Sequence, residues 1–200
     1  MSQEDTNKEL QIIKKYANEN NIPIMQDEGI DFLRNFIDKK GIKNILEVGT
    51  AIGYSAIMMC LVNNDVTVTT IERDETRYME ALKYIKKFNL ENRITLIFND
   101  ALSVEFDEKF DLIFIDAAKR KNKEFFEHFV KYLDNGGYVV TDNMNFHGFV
   151  DKDPSEIESK NVREIAEKIN EYLYFLENNM EYKTTIYQVG DGVAVTERRG

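Results

Sequence analysis

The sequence predicts a Rossmann-like α/β fold: a doubly wound, mostly parallel seven-stranded sheet with an antiparallel C-terminal hairpin. Three observations predict it. Strand-like and helix-like segments alternate five times along the chain, as in a parallel sheet with helices on both faces. Phe110–Ile115 is a nearly continuous apolar run, as expected of a central strand covered on both sides. Two last β-branched runs are joined only through Gly190-Asp191-Gly192, which is too short for a crossover and suits a hairpin.

In chain order, residues 6–20 and 26–39 read as two helices separated by Asn21-Ile-Pro-Ile-Met. A strand at 43–48 runs through a glycine turn into a helix from about 53 to 62. Val66–Ile71 is a β-branched strand ending at Glu72. Over 74–88, the spacing of Tyr78, Leu82, Ile85 and Phe88 predicts an amphipathic helix that buries this face. Ile94–Phe98 and Phe110–Ile115 are the next strands, followed by a helix at 122–132 and a strand at 138–142. Asn143–Lys160 is polar, is interrupted by Gly148 and Pro154, and reads as a loop over a site. A long helix at 161–178 precedes the hairpin strands Thr184–Val189 and Val193–Glu197.

Two hundred residues allow one domain with a substantial core, and no repeat or linker divides residues 1–200. The lone cysteine excludes an internal disulfide, and its setting in Ala-Ile-Met-Met-Cys-Leu makes Cys60 a buried helix residue. The polar start lacks a signal-peptide core and no apolar run reaches spanning length, so a cytoplasmic protein without a membrane partner is expected. A net charge of −10 argues against broad, non-specific nucleic-acid binding. Two local basic groups remain: Lys119-Arg120-Lys121 with Lys123, and Lys83-Lys86-Lys87, the second a solvated helix face.

Candidate chemistry begins at Ile45-Leu-Glu-Val-Gly-Thr-Ala-Ile-Gly-Tyr-Ser, a strand, glycine turn and helix start in that order. Such a turn holds a nucleotide-like cofactor at the carboxyl end of a sheet. Gly49 and Gly53 are spaced G-x-x-x-G, and Ala51 stands where a dinucleotide site needs a glycine for pyrophosphate. The spacing therefore suits an adenosine cofactor with an amino-acid tail, S-adenosylmethionine being the candidate. Acids recur at the predicted strand ends: Glu47, Glu72, Asp100, Asp116 and Asp142. Glu72 falls where a carboxylate accepts hydrogen bonds from ribose hydroxyls. Asp116 and Asp142-Asn143 end neighbouring strands and offer two carboxylates and an amide oxygen, a hard donor set for Mg²⁺ or another divalent cation. Helix capping is the competing role for these residues. Lys119 follows at the same mouth, where a nearby cation favours the neutral amine that serves as a general base. His128 reads as a helix residue, whereas His147 lies in the irregular loop.

Five segments in order, Ile45–Ala56, Thr70-Ile-Glu-Arg-Asp, Asn99-Asp-Ala, Phe114-Ile-Asp-Ala-Ala-Lys and Thr141-Asp-Asn, resemble the cation-dependent O-methyltransferases, the family of catechol and caffeoyl-CoA O-methyltransferases. The resemblance runs from about Ile22 to Arg198. It implies that Gly49, Gly53, Tyr54 and Ser55 surround the methionine part of the cofactor and that Glu47 also binds the cofactor. It implies further that Glu72 binds ribose, that Asp100 and Ala101 border adenine, and that Asp116 reaches both cofactor and cation. Asp116, Asp142 and Asn143 would hold Mg²⁺, Lys119 would be the base, and the N-terminal helices of residues 1–40 would form part of a lid. Within the family, Ile22-Pro-Ile-Met, Tyr182-Lys-Thr-Thr-Ile and Val189-Gly-Asp-Gly look most like bacterial tRNA 5-hydroxyuridine methyltransferases. The expected acceptor is thus a hydroxyl beside a second oxygen, first a 5-hydroxyuridine at the wobble position of a tRNA anticodon loop. A small catechol-like molecule is the alternative. A homodimer is the family's habit. Three departures stand out: Asn145-Phe-His-Gly, Lys119-Arg-Lys-Asn and Leu173 each differ from the residues usual there.

Overall fold

A computed structural model describes residues 2–200. Helix α1 (Gln3–Glu19) starts earlier than periodicity predicts, because Ser2 and Asp5 form a reciprocal capping box that extends the first turn. Helix α2 (Asp27–Lys40) ends at Gly41, whose left-handed conformation (φ 65°) terminates it without steric cost. Strand β1 (Asn44–Val48), helix α3 (Tyr54–Cys60), strand β2 (Thr67–Glu72), helix α4 (Glu75–Lys87) and strand β3 (Ile94–Phe98) follow. Next come β4 (Phe110–Ile115), α5 (Asn122–Phe129), β5 (Leu133–Asp142), α6 (Lys160–Glu177), β6 (Tyr182–Tyr187) and β7 (Val193–Arg198).

The strands form one seven-stranded sheet in the order β3-β2-β1-β4-β5-β7-β6, parallel except for β7, which pairs antiparallel with both neighbours. This is the predicted Rossmann-like architecture with its antiparallel C-terminal hairpin, the reversed strand β7 lying one in from the edge. Alternation along each central strand separates two cores. Ile45, Leu112, Phe114 and Val140 face α1 to α4, packing on Ile30, Leu33, Ile57 and Ile85. Leu46, Ile113, Ile115 and Val139 face α5 and α6, packing on Phe126, Phe129, Ile169 and Leu176. Both faces of β1 and β4 are covered, which is why β4 reads as a nearly continuous apolar run and β1 is apolar apart from Asn44 and Glu47.

Besides α1 and β6, whose ends are displaced by two or three residues, two elements differ from their predicted forms. Helix α4 buries Ala81, Tyr84 and Ile85, while Leu82 is 39% exposed. The helix is rotated because it approaches the glycine turn closely: a Cβ built on Gly53 would stand 3.4 Å from that of Ala81. Only a small residue fits at that contact, and this outweighs the placement of a larger apolar side chain. Strand β5 extends five residues further towards its N-terminus than expected, across a register shift opposite Phe110 and Leu112. Gly136, in the left-handed region at φ 78°, and Gly137, pressed against the carbonyl of Asp111, allow that irregularity. The 143–160 segment is loop as predicted, apart from single 3-10 turns at Phe146–Gly148 and Pro154–Glu156. Cys60 is fully buried, and burial pushes its thiol up to about 12. Among the described residues no helix is long and apolar enough to cross a membrane.

Candidate active site

The carboxyl ends of β1, β2, β4 and β5 open into a cavity of about 600 Å³. It is lined by Gly49, Ala51, Tyr54, Ser55, Glu72, Asp100, Ala101, Asp116, Lys119, Asp142 and Asn143 among others. One cavity therefore gathers most of the residues picked out as strand-end chemistry.

The glycine turn forms one wall. The Gly49 and Thr50 N–H groups both donate to the carbonyl of Ile71, fastening the turn to β2 at 3.1 and 3.2 Å. Gly49 has φ +100°, and a Cβ there would overlap the carbonyl of Asp116 and lie 2.9 Å from Cα of Ala117. Asp116 N–H in turn donates to the carbonyl of Val48 at 3.0 Å. The turn and the end of β4 thus lie backbone to backbone, and only glycine permits it.

Glu47 and Gly53 do not line the cavity. Strand alternation directs Glu47 under α3, where Ser55 Oγ donates to Oε1 and Thr70 Oγ1 to Oε2, each at 2.5 Å. Thr50 and Thr70 hydroxyls share a further hydrogen bond of 2.6 Å. Glu47 is fully buried, and burial raises its carboxyl from the ordinary 4.5 to about 7 against the opposing pull of those two hydroxyls. Gly53 supports the wall from behind as the N-cap of α3.

Glu72 already accepts three backbone N–H groups: Ala51 at 2.8 Å on Oε2, Arg73 at 2.9 Å and Asp74 at 2.8 Å on Oε1. A carboxylate has about four acceptor positions, so one remains for a ligand hydroxyl. Asp100 caps the next turn through Leu102 N–H at 3.0 Å and meets Arg73 at 3.4 Å, which sets Ala101 against the cavity edge. Tyr54 is held from the N-terminal side by Lys14, whose ammonium lies 5.7 Å from its ring and pairs with Asp27 at 2.5 Å.

The opposite wall carries the polar chemistry. The β4–β5 register pairs Ile115 with Thr141, so Asp116 and Asp142 leave adjacent strand ends side by side. Lys119 Nζ donates to Asp116 Oδ1 at 2.6 Å. Asp142 is 3% exposed, and burial, then the charge of Asp116, hold its carboxyl well above the usual carboxylate range. Asn143 follows in the left-handed conformation at φ 62°. Among the described residues no three His, Cys, Asp or Glu side chains cluster as a cation site. The set here is two carboxylates and an amide, with a lysine ammonium lying against Asp116. That all-oxygen set, with a buried acid lacking a cationic partner of its own at contact distance, fits a hard divalent cation.

Several lining residues are not assigned to the site from the sequence. Pro23–Gln26, between α1 and α2, reach the mouth, as do Arg77, Lys121 and Phe125. His147 lines it too, whereas His128 sits on α5 with its ring 3.0 Å from the carbonyl of Val104. Asp191, read in the sequence as part of a hairpin turn and of the Val189-Gly-Asp-Gly resemblance segment but given no role, is buried beneath the Asn143–His147 loop.

A family profile described as O-methyltransferase matches residues 2–199. The chain belongs to the O-methyltransferase family. The enzyme is 29% identical over 193 residues to the caffeoyl-CoA O-methyltransferase of Populus kitakamiensis, a match covering 92% of this chain and 82% of that protein. A solved Staphylococcus aureus structure, provisionally assigned as a caffeoyl-CoA O-methyltransferase, is 36% identical with a TM-score of 0.89, covering 95% of this chain and 92% of that one. An O-methyltransferase from Bacillus cereus, solved in complex with SAH, is 25% identical with a TM-score of 0.79, covering 96% of this chain and 91% of that one. The methyltransferase fold thus extends over nearly all of the enzyme, the N-terminal helices included.

Proposed function

We propose that this enzyme transfers the methyl group of S-adenosylmethionine to a hydroxyl adjacent to a second oxygen, on a small catechol-type molecule, with a divalent cation held by Asp116, Asp142 and Asn143. The observation that carries this reading is the contact of Gly49 with the Asp116 backbone, which makes the cofactor turn and the acid pair two walls of one cavity. Methyl transfer needs this arrangement, since donor and acceptor must meet in line at close range.

The chain's own groups divide the work. The wall of Gly49, Ala51, Tyr54 and Ser55 suits the amino-acid end of the cofactor, Glu72 the ribose, and Asp100 with Ala101 the adenine. Lys119, whose ammonium lies 2.6 Å from Asp116, would take the proton from the acceptor hydroxyl as the neutral amine, the form that a cation bound at Asp116 would favour. A divalent cation bound by Asp116, Asp142 and Asn143 would supply Lewis acidity and a two-point template for adjacent oxygens. Pro23–Gln26 at the mouth make the first two helices part of a lid that keeps water from the reacting atoms.

The similarity to caffeoyl-CoA O-methyltransferases favours a small acceptor over the 5-hydroxyuridine of tRNA, which presents a comparable pair of oxygens. Charge supports the same choice. The chain carries a net charge of −10, and around the opening Arg73 is paired with Asp100 and Arg120 with Glu164, which leaves Arg77 and Lys121 as the lining cations outside any ion pair among the described residues. The test is transfer of label from S-adenosylmethionine in Mg²⁺, offered in parallel to a catechol panel and to tRNA carrying 5-hydroxyuridine. Labelled catechols and unlabelled tRNA are expected, with loss of transfer in EDTA. Label in tRNA alone would overturn the acceptor assignment, and undiminished transfer in EDTA would overturn the cation.

A further inference from the structure

The connection between β6 and β7 has a role beyond turning the chain. Asp191 lies between Gly190 (φ 54°) and Gly192 (φ 83°) and is only 5% exposed. Its carboxylate accepts from the backbone N–H of His147 at 2.6 Å and from Nδ2 of Asn143 at 3.3 Å, and lies 3.3 Å from Nδ1 of His147. The backbone repeats the attachment. Asn145 N–H donates to the carbonyl of Asp191 at 2.8 Å, and Met144 N–H to that of Gly192 at 2.9 Å. A Cβ at Gly192 would stand 2.9 Å from the nitrogen of Asn145, so the two segments are as close as backbones allow.

The segment held in this way is an unusual one. Asn143, Phe146 and His147 all have positive φ, at 62°, 45° and 55°, a conformation that residues with side chains adopt reluctantly. It persists where the surroundings over-determine it, and Asp191 with Gly192 supply that constraint. Among the described residues no lysine or arginine pairs with Asp191; its partners are donors from this one segment.

The chemical consequence falls on Asn143. An amide side chain has a donor end and an acceptor end, and only the oxygen can bind a cation. An ionised carboxylate only accepts, so the end of Asn143 facing Asp191 must be its NH₂. The carbonyl oxygen is thereby turned away from Asp191, leaving it free for the cation set.

We propose that Asp191 is a positioning residue for the cation centre: it fixes the Asn143 amide with its oxygen presented, and it holds His147 at the acceptor mouth. The proposal rests on the cation assignment made above. Partners of this kind behind a metal ligand change affinity by about 10–100-fold when removed.

The test uses the full-length enzyme and Mn²⁺ as probe, with binding followed by electron paramagnetic resonance in the absence of acceptor. SAH affinity and thermal melting are measured alongside. Asp191→Asn keeps the volume but lets an NH₂ face Asn143, favouring the flipped amide. It should weaken Mn²⁺ binding at least tenfold while SAH affinity stays within about twofold, and it should raise the Mg²⁺ concentration needed for half-maximal rate. Combining it with Asn143→Asp should restore Mn²⁺ affinity to within about threefold of wild type, because a carboxylate needs no end-to-end orientation and the amide introduced at position 191 can donate to it. Mn²⁺ affinity unchanged in a folded Asp191→Asn enzyme overturns the proposal, as does equal loss of Mn²⁺ and SAH binding without rescue. A wild-type enzyme that binds no Mn²⁺ overturns the cation assignment itself, and the proposal with it.

Discussion

Replacing Glu47 by glutamine should stabilise the folded protein at neutral and alkaline pH and leave it nearly unchanged in mild acid. Glu47 is fully buried between Ser55 and Thr70, and its carboxyl titrates near 7 in the fold against an ordinary 4.5. A carboxyl raised in this way favours the fold while it is protonated. The contribution is fully present below pH 4.5, where both states carry the proton, and is lost as pH rises through 7. Each tenfold change in the ratio of forms corresponds to about 1.4 kcal/mol, so the loss between pH 5 and pH 8 comes to about 2.5 kcal/mol.

Glutamine has the shape of the neutral acid at every pH. Its NH₂ can donate to Thr70, whose hydroxyl can pass its own proton to Thr50 along the existing 2.6 Å contact, while its oxygen accepts from Ser55. The variant therefore avoids the cost of a buried charge without leaving a hydroxyl unpartnered. In a chain of this size about 2.5 kcal/mol corresponds to roughly 5–10 °C in Tm. Parallel melts of wild type and Glu47→Gln from pH 5 to 8, without cofactor, measure this directly. The Tm difference should open steadily in favour of glutamine as pH rises. A difference that stays flat, or that favours wild type more at pH 8 than at pH 5, would refute a buried, reluctantly ionised Glu47.

Three other outcomes follow from the same geometry. Asp142→Asn should abolish cation-dependent turnover yet leave SAH affinity within a few-fold by calorimetry, since Asp142 belongs to the wall opposite the glycine turn. Because burial and Asp116 keep the Asp142 carboxyl protonated to unusually high pH, a cation must displace that proton; Mn²⁺ affinity should rise up to about tenfold per pH unit below neutrality and level off above it, and a flat titration from pH 5.5 to 7.5 would contradict this. Gly49→Ala places a Cβ against the Asp116 carbonyl at a φ of +100°, and should cost about 3 kcal/mol or more, a fall of roughly 6 °C or more in Tm, with SAH binding lost in parallel.

What could be read from the sequence was whatever is written in one strand and its end. Ile45 to Ser55 carries its own strand, turn and helix start, and the acids at 72, 116 and 142 close β-branched or apolar runs, of which the one before Asp116 is nearly continuous because helices cover both faces. Such signals survive without knowing what packs where. Direction and partnership are written elsewhere. Glu47 shares its strand with Val48 and alternation sends them to opposite faces, but that Glu47 lies under α3 against Ser55 while Val48 joins the cavity wall depends on which face α3 covers. The buried face of α4 is set by a contact with Gly53 some thirty residues away, which is why Ala81 rather than Leu82 points inward. Asp191 is the clearest case. It reaches Asn143 across 48 positions, and nothing local separates a turn aspartate that solvates itself from one that orients a ligand. The distinction comes from the antiparallel return of β7 beside β5, which pairs Asp142 with Val193 and so lays one turn directly on the other. The reversed strand β7 therefore belongs to the site as much as the glycine turn does: it places a fixed acceptor behind a residue whose usefulness depends on which way its amide points.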